Sequence, residues 1–366
     1  MQISVIDMQV KLYHIPLNEV MVDSLHGLHT HFDLITVTLI GDNGVAGTGY
    51  TYTGGRGGHA IAALIDKDLR PYILNVAVDN PGEMTKKLDK IFHYIGRGGI
   101  LSFSLSAIDI ALWDVFLKTQ NRPLCKAMNR EPRPVCVYYG GIDLGYTDQQ
   151  LLQSIRKAMD SGHTGYKIKV GRKNWREDVD RIQAVRSLVG GSAAFMIDAN
   201  MVWSVEETLR ICDAVKECNL LWVEEPMNPD DLLAYRELSE RCPIPIAMGE
   251  NLHTVFEHRN ALRIGNIKFA QPDASNVLGI TGWLEVAHVA QEFGVTVNPH
   301  GMQELHVNLM AAIENGGLME FHSFPIHEYT TKPLSVQRGL LEPCLTAGIG
   351  VNFDLARLSP YEITKL

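Results

Sequence analysis

Gly165-Tyr-Lys-Ile-Lys-Val170 is the stretch on which the reading of this chain turns. It is a short apolar run with lysines at alternate positions. In a strand Lys167 and Lys169 share one face and Ile168 takes the other. Before it stands VCVYYG (135–140). After it come FMIDAN (195–200), LLWVEEP (220–226), IPIAMGE (244–250), IKFAQPD (267–273), VTVNPH (295–300) and LMEFHS (318–323). Amphipathic stretches at 175–189, 204–218, 229–241 and 280–293 lie between them. Strand-helix alternation at this spacing predicts a parallel sheet, and eight such strands close into a (β/α) barrel.

Seven of these runs end in or beside an ionisable residue: Lys169, Asp198, Glu224, Glu250, Asp273, His300 and Glu320. Successive subtraction gives 29, 26, 26, 23, 27 and 20, about one strand-helix unit each. Residues in that register belong on the barrel's C-terminal rim, where barrel active sites lie. One or two such charges would only mark strands meeting water. Seven, several beside apolar residues, point to a site.

Asp198, Glu224 and Glu250 come from three successive strands and can converge on one cation. Three hard oxygen donors with room for water and a substrate carboxylate suit Mg²⁺, whereas Zn²⁺ would want imidazole or thiolate among them. Glu224 and Glu225 face opposite ways, so spacing alone leaves open which is the ligand. The other is expected at the rim or capping a helix. Lys167 and Lys169, both inside the barrel, are expected to repel each other and lose hydration, lowering both pKa values and making a base. Asp273 and His300 end adjacent strands, so the carboxylate can fix the imidazole's tautomer for proton transfer opposite the lysines. Glu320, if burial raises its pKa, can hydrogen-bond a developing oxyanion. The set suits abstraction of the proton α to the carboxylate of a small-molecule substrate.

Upstream, 3–17 and 34–52 read as strands, the latter pair turning at Gly41-Asp42-Asn43-Gly44, with helical patterns at 59–70, 82–93 and 102–119. This is an α+β domain over 1–130, followed by the barrel over 131–330. The 366 residues suffice for two domains, and 46% hydrophobic with 20% charged is an ordinary globular composition. A net charge of −9 argues against a nucleic-acid partner. No run approaches the roughly 18 apolar residues of a membrane span, and the N-terminus lacks the basic and apolar regions of a signal peptide. A cytoplasmic location is the simple expectation. Six scattered cysteines without a CxxC pair are expected to be reduced structural thiols.

KIK (167–169), DAN (198–200), EEP (224–226), GEN (249–251), QPD (271–273), NPHG (298–301) and ME (319–320), in that order, resemble the mandelate racemase subgroup of the enolase superfamily. LSAIDIALWD (105–114) extends the likeness into the N-terminal part. The resemblance implies a modified TIM barrel under an α+β cap, the cap completed by the tail 331–366 and closing over the barrel mouth. It implies one Mg²⁺ on Asp198, Glu224 and Glu250, Lys169 and the His300–Asp273 pair as bases on opposite faces, and Glu320 assisting the enediolate. Lys167 would neutralise the substrate carboxylate and Asn200 would contact a substrate oxygen. A homo-oligomer is also implied.

The histidine-aspartate pair with KxK resembles acid-sugar dehydratases, and the cap segments 26–37, 49–58 and 96–99 resemble those of L-talarate/galactarate dehydratases. Residues 17–31 are expected to form a lid whose His26, His29 and His31 make it more polar than an aromatic substrate would want. Tyr52, Arg56 and Arg97 are further candidates for the substrate. An arginine would suit the distal carboxylate of a diacid, and Lys332 and Arg338 are equal candidates. The expected activity is dehydration of an aldarate or aldonate to a 2-keto-3-deoxy acid. The alternatives are racemisation or epimerisation of a 2-hydroxy or amino acid by the same two bases, and a noncatalytic descendant, which would be expected to have lost a ligand or base.

Overall fold

The computed structural model describes residues 3–128 and 130–363. The N-terminal part is an antiparallel sheet in the order β3-β2-β1-β4, built from β1 (Ile3–Asp23), β2 (Gly27–Gly41), β3 (Ala46–Thr53) and β4 (Ala77–Val78). The expected turn at 41–44 is present: the Gly41 N–H donates to Val45 O at 2.9 Å.

Residues 17–31 form a paired hairpin end rather than a loop. After an irregularity between Pro16 and Met21, β1 and β2 pair out to Asp23 opposite Gly27, leaving residues 24–26 as the tip of a hairpin. The ladder satisfies backbone groups that a loop would leave to water. The tip is also tied to the barrel, where Ser24 Oγ donates to Ala199 O at 2.7 Å and the Val22 N–H to Ile142 O at 3.3 Å.

Helices α1 (Gly58–Ala63), α2 (Pro81–Phe92) and α3 (Gly99–Thr119) complete this part. α3 is long and apolar enough to cross a membrane, yet most of it is buried, between β3 and barrel helix α9 (Gly279–Glu292). Gly49 explains the close fit: a Cβ there would lie 2.0 Å from Ala107 O, so α3 rests directly on the strand's backbone.

The second part runs β5 (Val135–Gly140), α4 (Asp148–Asp160), β6 (Gly165–Lys169), α5 (Trp175–Val189), β7 (Ala194–Asp198), α6 (Val205–Ala214), β8 (Val223–Glu224), α7 (Leu232–Arg241), β9 (Ile246–Met248), α8 (Val255–Asn260), β10 (Phe269–Ala270), α9, β11 (Thr296–Val297), α10 (Gln303–Met310) and β12 (Met319–His322). The eight strands lie in the order β11-β10-β9-β8-β7-β6-β5-β12, every neighbouring pair parallel. A parallel bridge from Val297 to Gly316 links the two ends. Beyond β12, β13 (Leu340–Leu341) pairs with β5, α11 (Leu355–Leu358) follows, and the Ile363 N–H donates to Leu12 O in the cap sheet at 2.8 Å.

The ionisable residues are less uniform than their spacing suggested. Lys169, Asp198 and Glu224 are the last residues of their strands and pair in register, Lys169 with Asp198 and Asp198 with Glu224. Glu250, Asp273 and His300 stand two or three residues past β9, β10 and β11, and Glu320 lies within β12. Beneath them the barrel is filled by Tyr138, Met196, Trp222 and Ala247, all fully buried.

Candidate active site

Oxygen atoms of Asp198, Glu224 and Glu250 lie within 4.8 Å of one another at the barrel mouth. Lys169 Nζ stands 2.6 Å from Asp198 Oδ2, at one end of this row. At the other, His300 Nε2 is 3.2 Å from Glu250 Oε2. The two nitrogen bases thus approach opposite ends of the carboxylate row.

Each member of the row is held from below or beside. Trp222 Nε1 donates to Glu224 Oε2 at 3.0 Å and Gln271 Nε2 donates to the same oxygen at 2.6 Å. Lys167 bridges Glu224, Asp198 Oδ2 at 3.4 Å and Glu320 Oε1 at 2.9 Å. Gly140 makes room for Glu320, since a Cβ there would lie 2.1 Å from Glu320 Oε1. Asp273 Oδ2 takes His300 Nδ1 at 2.9 Å and the Tyr52 hydroxyl at 2.8 Å. Trp222 was legible in principle, two residues before Glu224 on the same face of its run, whereas Gln271 lies past the end of β10, where strand alternation no longer applies.

Glu225 is neither rim nor helix cap. It is fully buried, its backbone is left-handed at φ 35°, and it accepts from Asn251 Nδ2 at 2.6 Å. Glu224 is just as buried but turns its oxygens to Asp198 and Glu250, and burial with Glu250 and Asp198 nearby pushes the Glu225 carboxyl well up.

The electrostatics overturn two expectations. Burial acts to lower both lysines, but the surrounding carboxylates outweigh it: Glu224 and Glu320 raise Lys167 well above the ordinary value, and Asp198 raises Lys169. Mutual repulsion is outweighed at Lys167 by three acids in ion-pair contact and at Lys169 by Asp198. Glu320 is likewise held low, not raised. Burial opposes this, but Lys167 and His300 prevail. Glu320 is therefore an acceptor, for Lys167 and for the Gly301 N–H at 3.2 Å. Burial raises Asp198 less than Lys169 and Lys167 lower it, leaving it at about 2. Glu224 is pushed up to about 8 by burial, opposed by Lys167 but reinforced by Asp198 and Glu250. His300, lowered by burial, is carried to about 10 by Glu250, Asp273 and Glu320.

Three acids crowded together, with Glu250 Oε2 buried and facing only His300 Nε2 at 3.2 Å without a hydrogen bond, are what a bound cation resolves. The donor set is all hard oxygen, which fits Mg²⁺.

A cavity of about 400 Å³ opens at Glu250, with Lys169, Asp273 and His300 in its lining. His26, His29, Tyr52 and Asn200 line it as expected, and Arg56 stands exposed at its edge. Asn200 Oδ1 is buried without a partner. The histidines are organised by a residue the sequence reading passed over: Asp23 Oδ2 meets His26 Nδ1 at 3.0 Å and His29 Nε2 at 2.7 Å. Asp23, despite burial, is held well below the carboxylate range by these rings and Lys169. Its place opposite Gly27 at the hairpin end could be found only once residues 17–31 were known to pair.

Tyr52, within the lining, spends its hydroxyl on Asp273. Other candidates fall elsewhere. Arg97 is exposed and outside the cavity lining. His31 stacks on His14 at 3.7 Å, away from the mouth. Lys332 and Arg338 line a separate cavity beside β13. The mouth is also less polar than three histidines implied, because Ile61, Ile100, Phe103, Ile142 and Phe324 form one wall.

A barrel whose rim brings acids, lysine and imidazole together in this way defines a class of enzymes acting on carbon acids. Comparison with known sequences specifies the class further. The mandelate racemase / muconate lactonizing enzyme N-terminal domain matches residues 7–128 and the enolase C-terminal domain-like family matches 150–357. The chain belongs to the enolase superfamily, in its mandelate racemase subgroup.

It is 38% identical to a 3,6-anhydro-alpha-L-galactonate cycloisomerase of Streptomyces coelicolor, over 95% of this chain and 96% of that one. It is 32% identical to an L-talarate/galactarate dehydratase of Salmonella typhimurium, over 77% and 71%. A racemase from Streptomyces coelicolor, solved with bound magnesium, matches at TM-score 0.95 with 36% identity, covering 98% of this chain and all of that one. The Salmonella dehydratase liganded with Mg and L-lyxarohydroxamate matches at 0.92 with 27% identity, over 99% and 93%.

Proposed function

We propose that this chain is a Mg²⁺-dependent carbon–oxygen lyase that dehydrates an acid sugar, an aldarate or aldonate such as galactarate or L-talarate, to its 2-keto-3-deoxy acid. One observation carries the reading: Lys169 and His300 approach opposite ends of the Asp198–Glu224–Glu250 row. A carboxylate lying over that row has a nitrogen base on each face. Relatives that are 38% and 32% identical act on acid sugars by their names, which supports the substrate class.

Asp198, Glu224 and Glu250 hold the ion. When bound, Mg²⁺ supplies positive charge that offsets the second negative charge building on the substrate carboxylate as its α-proton leaves. Asp198, whose charge raises Lys169, would be neutralised by the cation it holds, and Lys169 so released removes that proton from its face. Lys167, fixed by Glu320, neutralises the substrate carboxylate. His300, oriented by Asp273, delivers a proton to the departing C3 hydroxyl or takes the C2 proton of the opposite epimer. Tyr52 acts through Asp273. Asn200 with its free Oδ1, and His26 and His29 set by Asp23, receive the hydroxyls along the sugar chain.

The apolar wall and the 38%-identical cycloisomerase favour one variant, in which the expelled C3 oxygen belongs to a ring ether of an anhydro sugar acid. Racemisation or epimerisation would use the same two bases without expulsion. Incubating the Mg²⁺-loaded protein in D₂O with a panel of monoacid, diacid and anhydro sugar acids separates these. A semicarbazide-reactive keto acid lighter by one water marks the dehydratase. A keto acid of unchanged mass marks ring opening, and C2 exchange without a keto acid marks the racemase. Neither exchange nor keto acid from any member of the panel would refute all three.

A further inference from the structure

β5 stops short of Lys169. Its last residue, Gly140, pairs with Lys167, and the Gly141 N–H still reaches Lys167 O at 3.1 Å. In a parallel ladder the next donor on this edge of β6 is the N–H two residues on, that of Lys169, and there β5 has already ended. On the other edge the ladder continues. Lys169 stands in register with Asp198, and the Val170 N–H donates to Asp198 O at 2.9 Å.

Side chains replace the missing strand. Asp143 Oδ1 accepts from the Lys169 N–H at 3.0 Å. Arg181 Nη2, from α5, lies 3.3 Å from the same oxygen, 3.1 Å from Asp143 O and 3.5 Å from Lys169 O. Asp143 and Arg181 are each only 1% exposed. A pair so buried returns little net stability once its lost hydration is counted, so its place at this strand end points to what it positions.

The loop carrying Asp143 also meets the cap. Val22 and Asp143 form a parallel bridge, in which the Val22 N–H donates to Ile142 O at 3.3 Å and the Leu144 N–H to Val22 O at 3.0 Å. Beside Val22 stands Asp23, which organises His26 and His29. Arg172 and Arg181 hold the loop's far end through Tyr146 O, at 2.6 and 3.1 Å. Residues 141–146 thus join the end of the hairpin to the backbone of Lys169. His300 is oriented separately, by Asp273.

We propose that Asp143 is a positioning residue for Lys169, held by Arg181 and by the docked hairpin, and that it thereby sets which C2 epimer reacts faster, a role that rests on Lys169 and His300 serving opposite faces of the substrate. Misplacing a reacting group by about 1 Å can cost about a hundredfold. Loosening the end of β6 therefore penalises the Lys169 face and spares the His300 face.

The test is C2 exchange by the Mg²⁺-loaded full chain in D₂O, followed by ¹H NMR on galactarate and L-talarate. Lys169→Ala marks the epimer that Lys169 serves. Asp143→Ala should slow exchange of that epimer at least about tenfold and of the other less than about threefold. Asp143→Asn keeps Oδ1 and puts its amide where Oδ2 has no partner, so both epimers should stay within about threefold of the parent. Because Asp143→Ala strands a buried guanidinium, Asp143→Ala combined with Arg181→Met, which removes both charges, is measured beside it and should show the same one-sided loss. Circular dichroism checks the fold of each. Hydrogen exchange without substrate should find the Lys169 amide at least about tenfold less protected in the double variant. Equal losses for both epimers in a folded variant, or no loss, overturn the role of Asp143 and leave the two-base reading standing. Unfolding of both variants would make Asp143 a determinant of the fold and overturn it too. If Lys169→Ala does not separate the epimers, the two-base reading falls and this proposal with it.

Discussion

Tyr52→Phe removes one hydrogen-bond donor from Asp273, the carboxylate that orients His300. Asp273 Oδ2 receives the Tyr52 hydroxyl at 2.8 Å and His300 Nδ1 at 2.9 Å, and Asp273 Oδ1 accepts from the Ser275 N–H at 2.8 Å. A hydrogen bond to a charged group is worth about 1.5–3 kcal/mol. Asp273 keeps its other two donors, so the lower end of that range applies, about 1.5 kcal/mol, or roughly tenfold. The substitution leaves Lys169 and its partner Asp198 untouched. Proton abstraction by His300 should thus fall about tenfold, and abstraction by Lys169 should change less than threefold. The assay is ¹H NMR of C2 exchange in D₂O with Mg²⁺, comparing galactarate with its C2 epimer L-talarate. Equal losses for both epimers would refute the inference that Tyr52 acts through the His300–Asp273 pair, as would no loss for either.

Gly140→Ala places a methyl 2.1 Å from Glu320 Oε1, and overpacking of that kind costs about 1–3 kcal/mol. Denaturant unfolding should show the loss and turnover should collapse as Lys167 loses its partner, while Gly191→Ala, whose added methyl meets nothing, should match the parent. Asp109, buried in α3 and accepting from Thr85 and Thr281, has its carboxyl raised to about 6, mainly by burial. A folded pKa above the unfolded one favours the protonated fold, so this contribution is complete below about pH 4 and lost as pH rises through 6, on the order of 3 kcal/mol. Calorimetry in EDTA should find the stability of Asp109→Asn less steep between pH 4.5 and 7 than that of the parent, and an unchanged slope would discount the group. Arg97→Ala should leave kcat and KM within twofold, whereas Asp23→Asn, which frees both lip histidines, should raise KM for an acid sugar about tenfold. Steady-state kinetics decides both.

The barrel was legible because eight short apolar runs alternate with amphipathic stretches, and seven of the runs carry an ionisable residue at the same end. Asp198, Glu224, Lys167 and Lys169 could be placed from that alone, since a strand fixes which side chains share a face. What the repeat did not carry was the protonation of these groups. Lys169 is raised and Glu320 lowered by neighbours on other strands, and the sign depends on distances that spacing does not contain. The cap was legible only in part. Its strands and helices followed their patterns, but the pairing of 17–31 crosses a register irregularity, and Asp23, His26 and His29 meet only because of it. Arg97, Lys332 and Arg338 were chosen by charge type alone, and the chain places all three outside the cavity at Glu250.

The most direct test is a crystal soaked in Mn²⁺ as a stand-in for Mg²⁺ and measured at the manganese edge. One strong anomalous peak is expected, about 2.1 Å from oxygens of Asp198, Glu224 and Glu250, with Lys169 Nζ and His300 Nε2 on opposite sides of it. A peak instead at the Asp23–His26–His29 or His14–His31–Asp33 cluster, or both nitrogens on one side of the metal, would contradict the account.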